Sequence, residues 1–252
     1  MKPAETHFAG GDDGATASGE PSPGANGHTH GADAFGARLL RSLPDDSQAP
    51  ASGITTRKLR RHDTLYRPGD PAEELYVVQS GTIGIASATP DGREALIALL
   101  GRGELFALCS LFDGGRHGNQ ARAFESSTVV AVPYEAVRRV LQQRPVLLWG
   151  LVRIMAGRLR VADQALADSV FLDVTGRTAK RLLELAGDAD EFHLPVTQEE
   201  LAALVGASRE RVNKAIATFA RLGWIEQRDR RYRIVDRAQL VLRAGQPRPN
   251  GN

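Results

Sequence analysis

The chain has 252 residues, with 32 Lys and Arg against 30 Asp and Glu and a single cysteine. That length accommodates two small domains, and the near-balanced charge by itself points to no partner. One Cys excludes an internal disulfide framework and a four-cysteine zinc or iron–sulfur site.

Charge is distributed unevenly: residues 1–50 hold three basic and seven acidic residues, residues 169–252 fourteen and eleven. The basic surplus lies in the C-terminal part, where phosphates would be met. No apolar run approaches the ~20 residues of a membrane span, and the N-terminus lacks an apolar signal-peptide core. A soluble, cytoplasmic protein with no membrane partner is the expectation.

Residues 1–34 are rich in Gly, Ala, Ser, Asp and Pro and nearly free of large apolar side chains. Such a segment cannot bury enough surface to offset its ordering entropy, so a disordered tail is expected. His28 and His30, with His7 upstream, lack carboxylate or Cys partners at fixed spacing, and no metal site is expected. Residues 35–43 pattern as a short amphipathic helix. From Arg57 to about Val132, short β-branched and aromatic runs alternate with turns at Pro68-Gly69-Asp70, Ser80-Gly81 and Pro90-Asp91-Gly92. This predicts a β-roll or jelly roll, with Pro90-Asp91-Gly92 as a hairpin turn.

Tyr134 to Gln142 reads as a helix, and Pro145 can start a longer one. Along it Leu148, Val152, Met155, Leu159, Ala162 and Leu166 recur at alternating spacings of four and three, as a coiled-coil seam does. A dimerisation helix is expected, and Gly150 and Gly157 would permit close helix approach. Thr178 to Ala186 is a further helix, and Gly187 to Pro195 a polar loop.

Thr197 to Trp224 then reads as two helices joined by a tight turn. Thr197 and Glu200 fit a capping box, Gly206 ends the first helix, and Ser208 caps the second. The second helix is apolar at Val212, Ile216 and Phe219. Its opposite side carries Arg209, Glu210, Arg211, Asn213, Lys214 and Arg221. A helix-turn-helix inserts its second helix into the major groove, N-terminal residues first. Arg pairs bidentately with guanine, and Glu accepts from cytosine. Trp224-Ile225-Glu226 and Tyr232-Arg233-Ile234, joined by the polar turn at Arg228 to Arg231, read as a two-stranded wing that aims Arg228, Arg230, Arg231 and Arg233 at phosphate.

β-roll, long helix, then winged helix-turn-helix: this order resembles the Crp/Fnr family of bacterial transcription regulators over residues 37 to 243. The most specific matches are FLDVTGR at Phe171 to Arg177, similar to the family hinge, and VGASRERVNK at Val205 to Lys214, similar to its recognition element. The implied fold is α+β, in four parts: a tail at 1–34, a β-roll effector-type domain at 35–142, a dimerisation helix at 143–170, and a winged helix-turn-helix DNA-binding domain at 171–245. The resemblance implies a homodimer on double-stranded DNA, a palindrome with TGTGA-like half-sites, and RNA polymerase as partner if the protein activates. The DNA-binding residues are then Ser208, Arg209, Glu210, Lys214, Thr197 and Arg231. Lys214 stands where the cyclic-AMP receptor branch has Arg and lacks the planar fork.

The effector cassette departs from that branch. Ala107, Leu108 and Cys109 fall at its Gly-Glu-Leu turn, His117 and Gly118 at its Arg-Ser pair, and Ala162 and Asp163 at the Thr-Ser pair that meets adenine. Leu108 cannot accept a ribose hydroxyl, and His117 offers no bidentate fork. Independence from cyclic AMP is therefore expected; the alternative is a regulator controlled by cyclic AMP or another small effector in the β-roll. Cys109 reads as a small buried hydrophobe rather than a haem ligand or redox thiol, and no cofactor is expected. No Ser/His/Asp grouping or Gly-rich nucleotide loop suggests an enzyme.

Overall fold

The computed structural model describes residues 29–43, 53–89 and 94–246; the tail before Thr29 and the turn at Pro90-Asp91-Gly92 lie outside them. Helix α1 (Thr29–Ser42) starts before the stretch that pattern alone marks as helical. Phe35 and Leu39 are buried on it, with Leu43 just past its end, at the helical spacing of four.

Eight strands follow: β1 (Thr55–Leu59), β2 (Thr64–Tyr66), β3 (Glu74–Ser80), β4 (Ile83–Ala88), β5 (Glu94–Leu100), β6 (Leu105–Phe106), β7 (Gln120–Ala123) and β8 (Ser127–Pro133). A single-turn helix, α2 (Cys109–Asp113), interrupts them after β6. The strands form two four-stranded antiparallel sheets, ordered β1-β8-β3-β6 and β2-β7-β4-β5. Strands β3 and β8 of the first sheet are apolar on both faces. Tyr76, Val78, Val129 and Ala131 point into the roll, against Ile83, Ile85 and Phe106. Leu75, Val77, Val130 and Val132 point out and are covered by helices. A strand covered on both sides loses the polar–apolar alternation of a half-exposed one.

The covering helices are α1, α3 (Tyr134–Gln143) and α4 (Pro145–Phe171). Leu147 and Leu151 of α4 are buried with Phe35 and Leu39. The close approach expected at Gly150 is used within the chain: a Cβ there would run into the Phe35 ring, whereas Gly157 has nothing near it. Gly150 therefore seats α1. Leu148, Val152, Leu159 and Leu166 remain exposed along α4.

The C-terminal unit comprises α5 (Val174–Ala186), β9 (Glu191–His193), α6 (Gln198–Val205), α7 (Arg209–Arg221), β10 (Ile225–Arg228), β11 (Arg231–Ile234) and α8 (Arg237–Arg243). Its core gathers Leu182, Leu201, Val212, Ile216, Phe219, Ile225 and Leu240. The segment expected as a polar loop before Pro195 contains β9, which extends the wing to three strands ordered β10-β11-β9. Phe192 stacks on Tyr232 at 5.6 Å between centroids. This aromatic cross-strand contact recruits a stretch too short and polar to read as a strand by itself.

Candidate nucleic-acid interface and the β-roll interior

The capping box forms as expected. The Glu200 N–H donates to the Thr197 hydroxyl at 3.2 Å, and the Glu200 carboxylate accepts from the Thr197 N–H at 2.7 Å. Gly206 closes α6 in the left-handed region at φ 67°, which costs glycine nothing. The Ser208 hydroxyl accepts from the Arg211 N–H and starts α7.

Val212, Ala215, Ile216 and Phe219 are buried beneath α7. Glu210, Lys214, Ala217 and Arg221 form an exposed ridge on the far side, with Asn213 beside it. Arg209 is exposed at one flank, where it lines a cleft of about 310 Å³ with Thr197, Asp229 and Arg230. The structure thus brings Thr197, Ser208, Arg209, Glu210 and Lys214 to neighbouring turns on one side of the unit, where a major groove could receive them.

In the wing, Arg228 and Arg231 pair directly across the strands. Like charges in that position are destabilising and are relieved by an anion such as a phosphate. The other two wing arginines are partly engaged. Arg233 lies 3.6 Å from both Glu191 and Glu226, and the Arg230 guanidinium donates to the Leu194 carbonyl at 3.3 Å. The buried Tyr232 hydroxyl accepts from Gln198 at 2.8 Å and ties the wing to α6.

The joint between α4 and α5 is strapped. Asp173 caps α5 through the Gly176 N–H and takes both oxygens to Arg243 at 2.6 Å. These bonds, the Gly176 N–H first, hold its carboxyl below the ordinary carboxylate range. Arg177 donates to the carbonyls of Leu172 and Val205, and Lys180 bonds Asp168 back on α4.

The cassette positions divide between buried and exposed. Ala107 keeps a left-handed backbone at φ 61°, unusual for a residue with a Cβ, and its carbonyl accepts from the Tyr134 hydroxyl at 2.5 Å. Burial pushes that hydroxyl up to about 12. Leu108 is buried, whereas Cys109 is exposed at the start of α2. This corrects the expectation of a buried thiol: Leu108 and Leu111 turn inward and leave residue 109 on the outer side of the turn. His117 is 6% exposed and stacks on Tyr66, with ring centroids 3.6 Å apart and planes within 6°. Its main chain is pinned to Asp70 and Gly69. No Cβ neighbour crowds Gly118, and Ala162 and Asp163 lie on the exposed part of α4.

Sequence reasoning missed Arg158. Its guanidinium donates to the Leu105 carbonyl, and burial lowers its affinity for the proton. The signal was available: Arg158 continues the Leu147, Leu151, Ile154 spacing that packs α4 onto the roll.

Burial also lowers the His117 pKa from its ordinary 6.5. The neutral ring is favoured in the folded state. This stabilisation is complete above about pH 6.5 and is lost as pH falls through that value toward the folded pKa. Melting curves of the wild type should therefore fall between pH 7 and 5 more steeply than those of His117→Phe, which keeps the stack and cannot titrate. Parallel curves would remove the assignment.

These features define a class: a jelly-roll sensor-type domain joined by a long helix to a winged helix-turn-helix. A family model for the cyclic nucleotide-binding domain matches residues 56–144, and one for the Crp-like helix-turn-helix domain matches residues 176–243. The chain belongs to the Crp/Fnr family of transcription regulators. It is 40% identical over 191 residues to the CRP-like cAMP-activated global transcriptional regulator of Mycobacterium tuberculosis, covering 73% of this chain and 85% of that one. In fold it resembles FixK2 from Bradyrhizobium japonicum, at TM-score 0.67 and 23% identity over 74% of this chain and 95% of that one. It also resembles the c-di-GMP-responsive regulator CLP from Xanthomonas campestris, at TM-score 0.67 and 24% identity over 79% and 98%. No helix among the described residues is long and apolar enough to cross a membrane.

Proposed function

We propose that this DNA-binding regulator acts as a homodimer on a palindrome with TGTGA-like half-sites, and does so without cyclic AMP. The observation that carries the reading of DNA is the exposed start of α7, where Arg209, Glu210 and Lys214 stand free of the core. Arg209 is assigned to guanine and Glu210 to cytosine. Lys214 contributes charge and a point contact. Ser208 and Thr197 place helix N-termini toward phosphate, and Arg231 supplies wing charge. RNA polymerase is the further partner if the site lies where activation is possible.

Independence from cyclic AMP is supported by the stacked His117 and buried Leu108. The relatives that carry cyclic-AMP activation in their names leave the coarser role unaffected. Binding the nucleotide here would require breaking the Tyr66–His117 stack, and its phosphate would gain no guanidinium from His117. Gel shifts on TGTGA palindromes, with and without cyclic AMP, test both parts. Equal, sequence-selective binding in both lanes is expected. Tightening by cyclic AMP would overturn the second part, and equal binding to scrambled DNA the first. One observation favours a different effector: Arg158 buries a guanidinium against the Leu105 carbonyl, where α4 meets the roll, and an anionic ligand reaching it there would use that charge. Thermal shift with cyclic dinucleotides addresses this.

Arg209→Ala should cost about 1–3 kcal/mol on the cognate site and relax the reading of one guanine. Arg231→Ala should weaken all sequences alike and reduce the salt slope by about one. Competition titrations at several salt concentrations separate the two patterns.

A further inference from the structure

The outward side of the second sheet carries an apolar patch at Ala86, Leu96 and Leu99, bordered by the Arg122–Glu94 ion pair, where a solvent-facing sheet would be polar. Ile83, Ile85 and Leu100 of β4 and β5 face the roll interior. The register shifts between Ile85 and Ala86, leaving Ile97 as an extra residue on β5. This bulge returns Leu96 to the outward side, with Ala86 and Leu99. Phe124 lies across Gly84, where a Cβ would run into its ring. Ala86, Leu96, Leu99 and Phe124 are nonetheless buried, and they join the core cluster of the C-terminal unit. The element packed on β5 is α6. At the rim, Arg61, in the turn between β1 and β2, stands 3.8 Å from Glu200 of α6. Leu204, one helical turn beyond Glu200, is buried as well.

We propose that this patch is a seat for α6, which holds the DNA-reading unit in a presenting position with no effector bound. The inference rests on the DNA-reading role proposed above and supplies its regulation: a standing contact within the chain replaces a ligand-driven one. In the seated position Arg209, Glu210 and Lys214 remain exposed, so seating and reading are compatible. A unit already held in place avoids the ordering cost that a free one meets when it engages DNA. The bulge at Ile97 and the glycine at position 84 are the local features that bring Leu96, Leu99 and Phe124 to the seat.

The test uses the full chain with two variants, Leu96→Ser/Leu99→Ser, which makes the seat polar, and Arg61→Glu, which sets like charges against each other at its rim. Hydrogen exchange of the α6 amides and affinity for the palindrome without cyclic AMP are measured. The double variant should exchange ~tenfold faster in α6 and bind ~tenfold more weakly, and Arg61→Glu ~threefold in each. Arg61 is partly exposed, so its variant stays informative if the double variant folds poorly. Unchanged α6 exchange in Arg61→Glu and the double variant would overturn the seat. Tighter DNA binding by either would make the contact inhibitory and overturn the proposal. If the wild type selects no palindrome, the DNA-reading role fails, and the exchange measurement still decides whether the seat exists.

Discussion

Replacing Leu159 and Leu166 with Glu is expected to yield a folded monomer that no longer holds a palindromic site. The two residues are 63% and 67% exposed on α4, so their loss leaves the chain's own core intact. They lie in the stripe Leu148, Val152, Met155, Leu159, Ala162 and Leu166, whose alternating four and three spacing suits a two-helix seam. Related by a two-fold axis, the stripe would bury both copies, and each Glu would face a like charge or an apolar side chain. A monomer keeps one reading helix and loses the linkage between half-sites, which is worth about 10²–10⁴ in affinity. Sedimentation should show half the mass and gel shifts the loss of the complex, with circular dichroism unchanged. A persisting dimer, or undiminished binding by a monomer, would sink the proposed assembly. Trp149, 71% exposed, lies off this stripe, so Trp149→Ala should leave the mass unchanged.

The second large effect is expected from Phe219→Ala. Phe219 is fully buried beneath α7 and stacks on Trp224 at 5.7 Å between centroids. Removing the ring from a packed core costs about 3–5 kcal/mol, a large share of the 5–15 kcal/mol that holds a typical domain. The C-terminal unit should unfold at a lower temperature than the β-roll, giving two calorimetric transitions and no DNA binding at 37 °C. Phe219→Leu, which leaves a smaller void, should lose less. A single transition with native binding would show that the core tolerates the cavity.

What the sequence disclosed was the local part of this architecture. Thr197, Glu200, Gly206 and Ser208 each act through neighbours within four residues, and the structure shows each in its expected role at the ends of α6 and α7. The long-range part was hidden. Nothing near Gly150 reveals that its bare Cα accommodates Phe35 from α1, 115 positions earlier in the chain. His117 could be recognised as a departure from the cassette, but its stacking on Tyr66 depends on a contact between distant strands. β9 was invisible because its stability comes from Tyr232 and the ladder rather than from its own residues. Cys109 was misjudged because residue type predicts burial only on average, and a single helical turn decides which side faces out.

The strapped joint has a mechanical consequence. Helix α4 spans 27 residues, or ~40 Å at the α-helical rise. Arg177 ties the carbonyl that ends this helix, at Leu172, to Val205, the residue before the helix-turn-helix turn. A joint so fastened transmits torque with little play. A tilt of about 5° along a ~40 Å arm moves its end by ~3.5 Å, beyond the reach of a hydrogen bond. The helix is thus a lever, and the precision of the base reading proposed for Arg209 would be set as much by the stiffness of residues 168–177 as by the exposed side chains of α7 themselves.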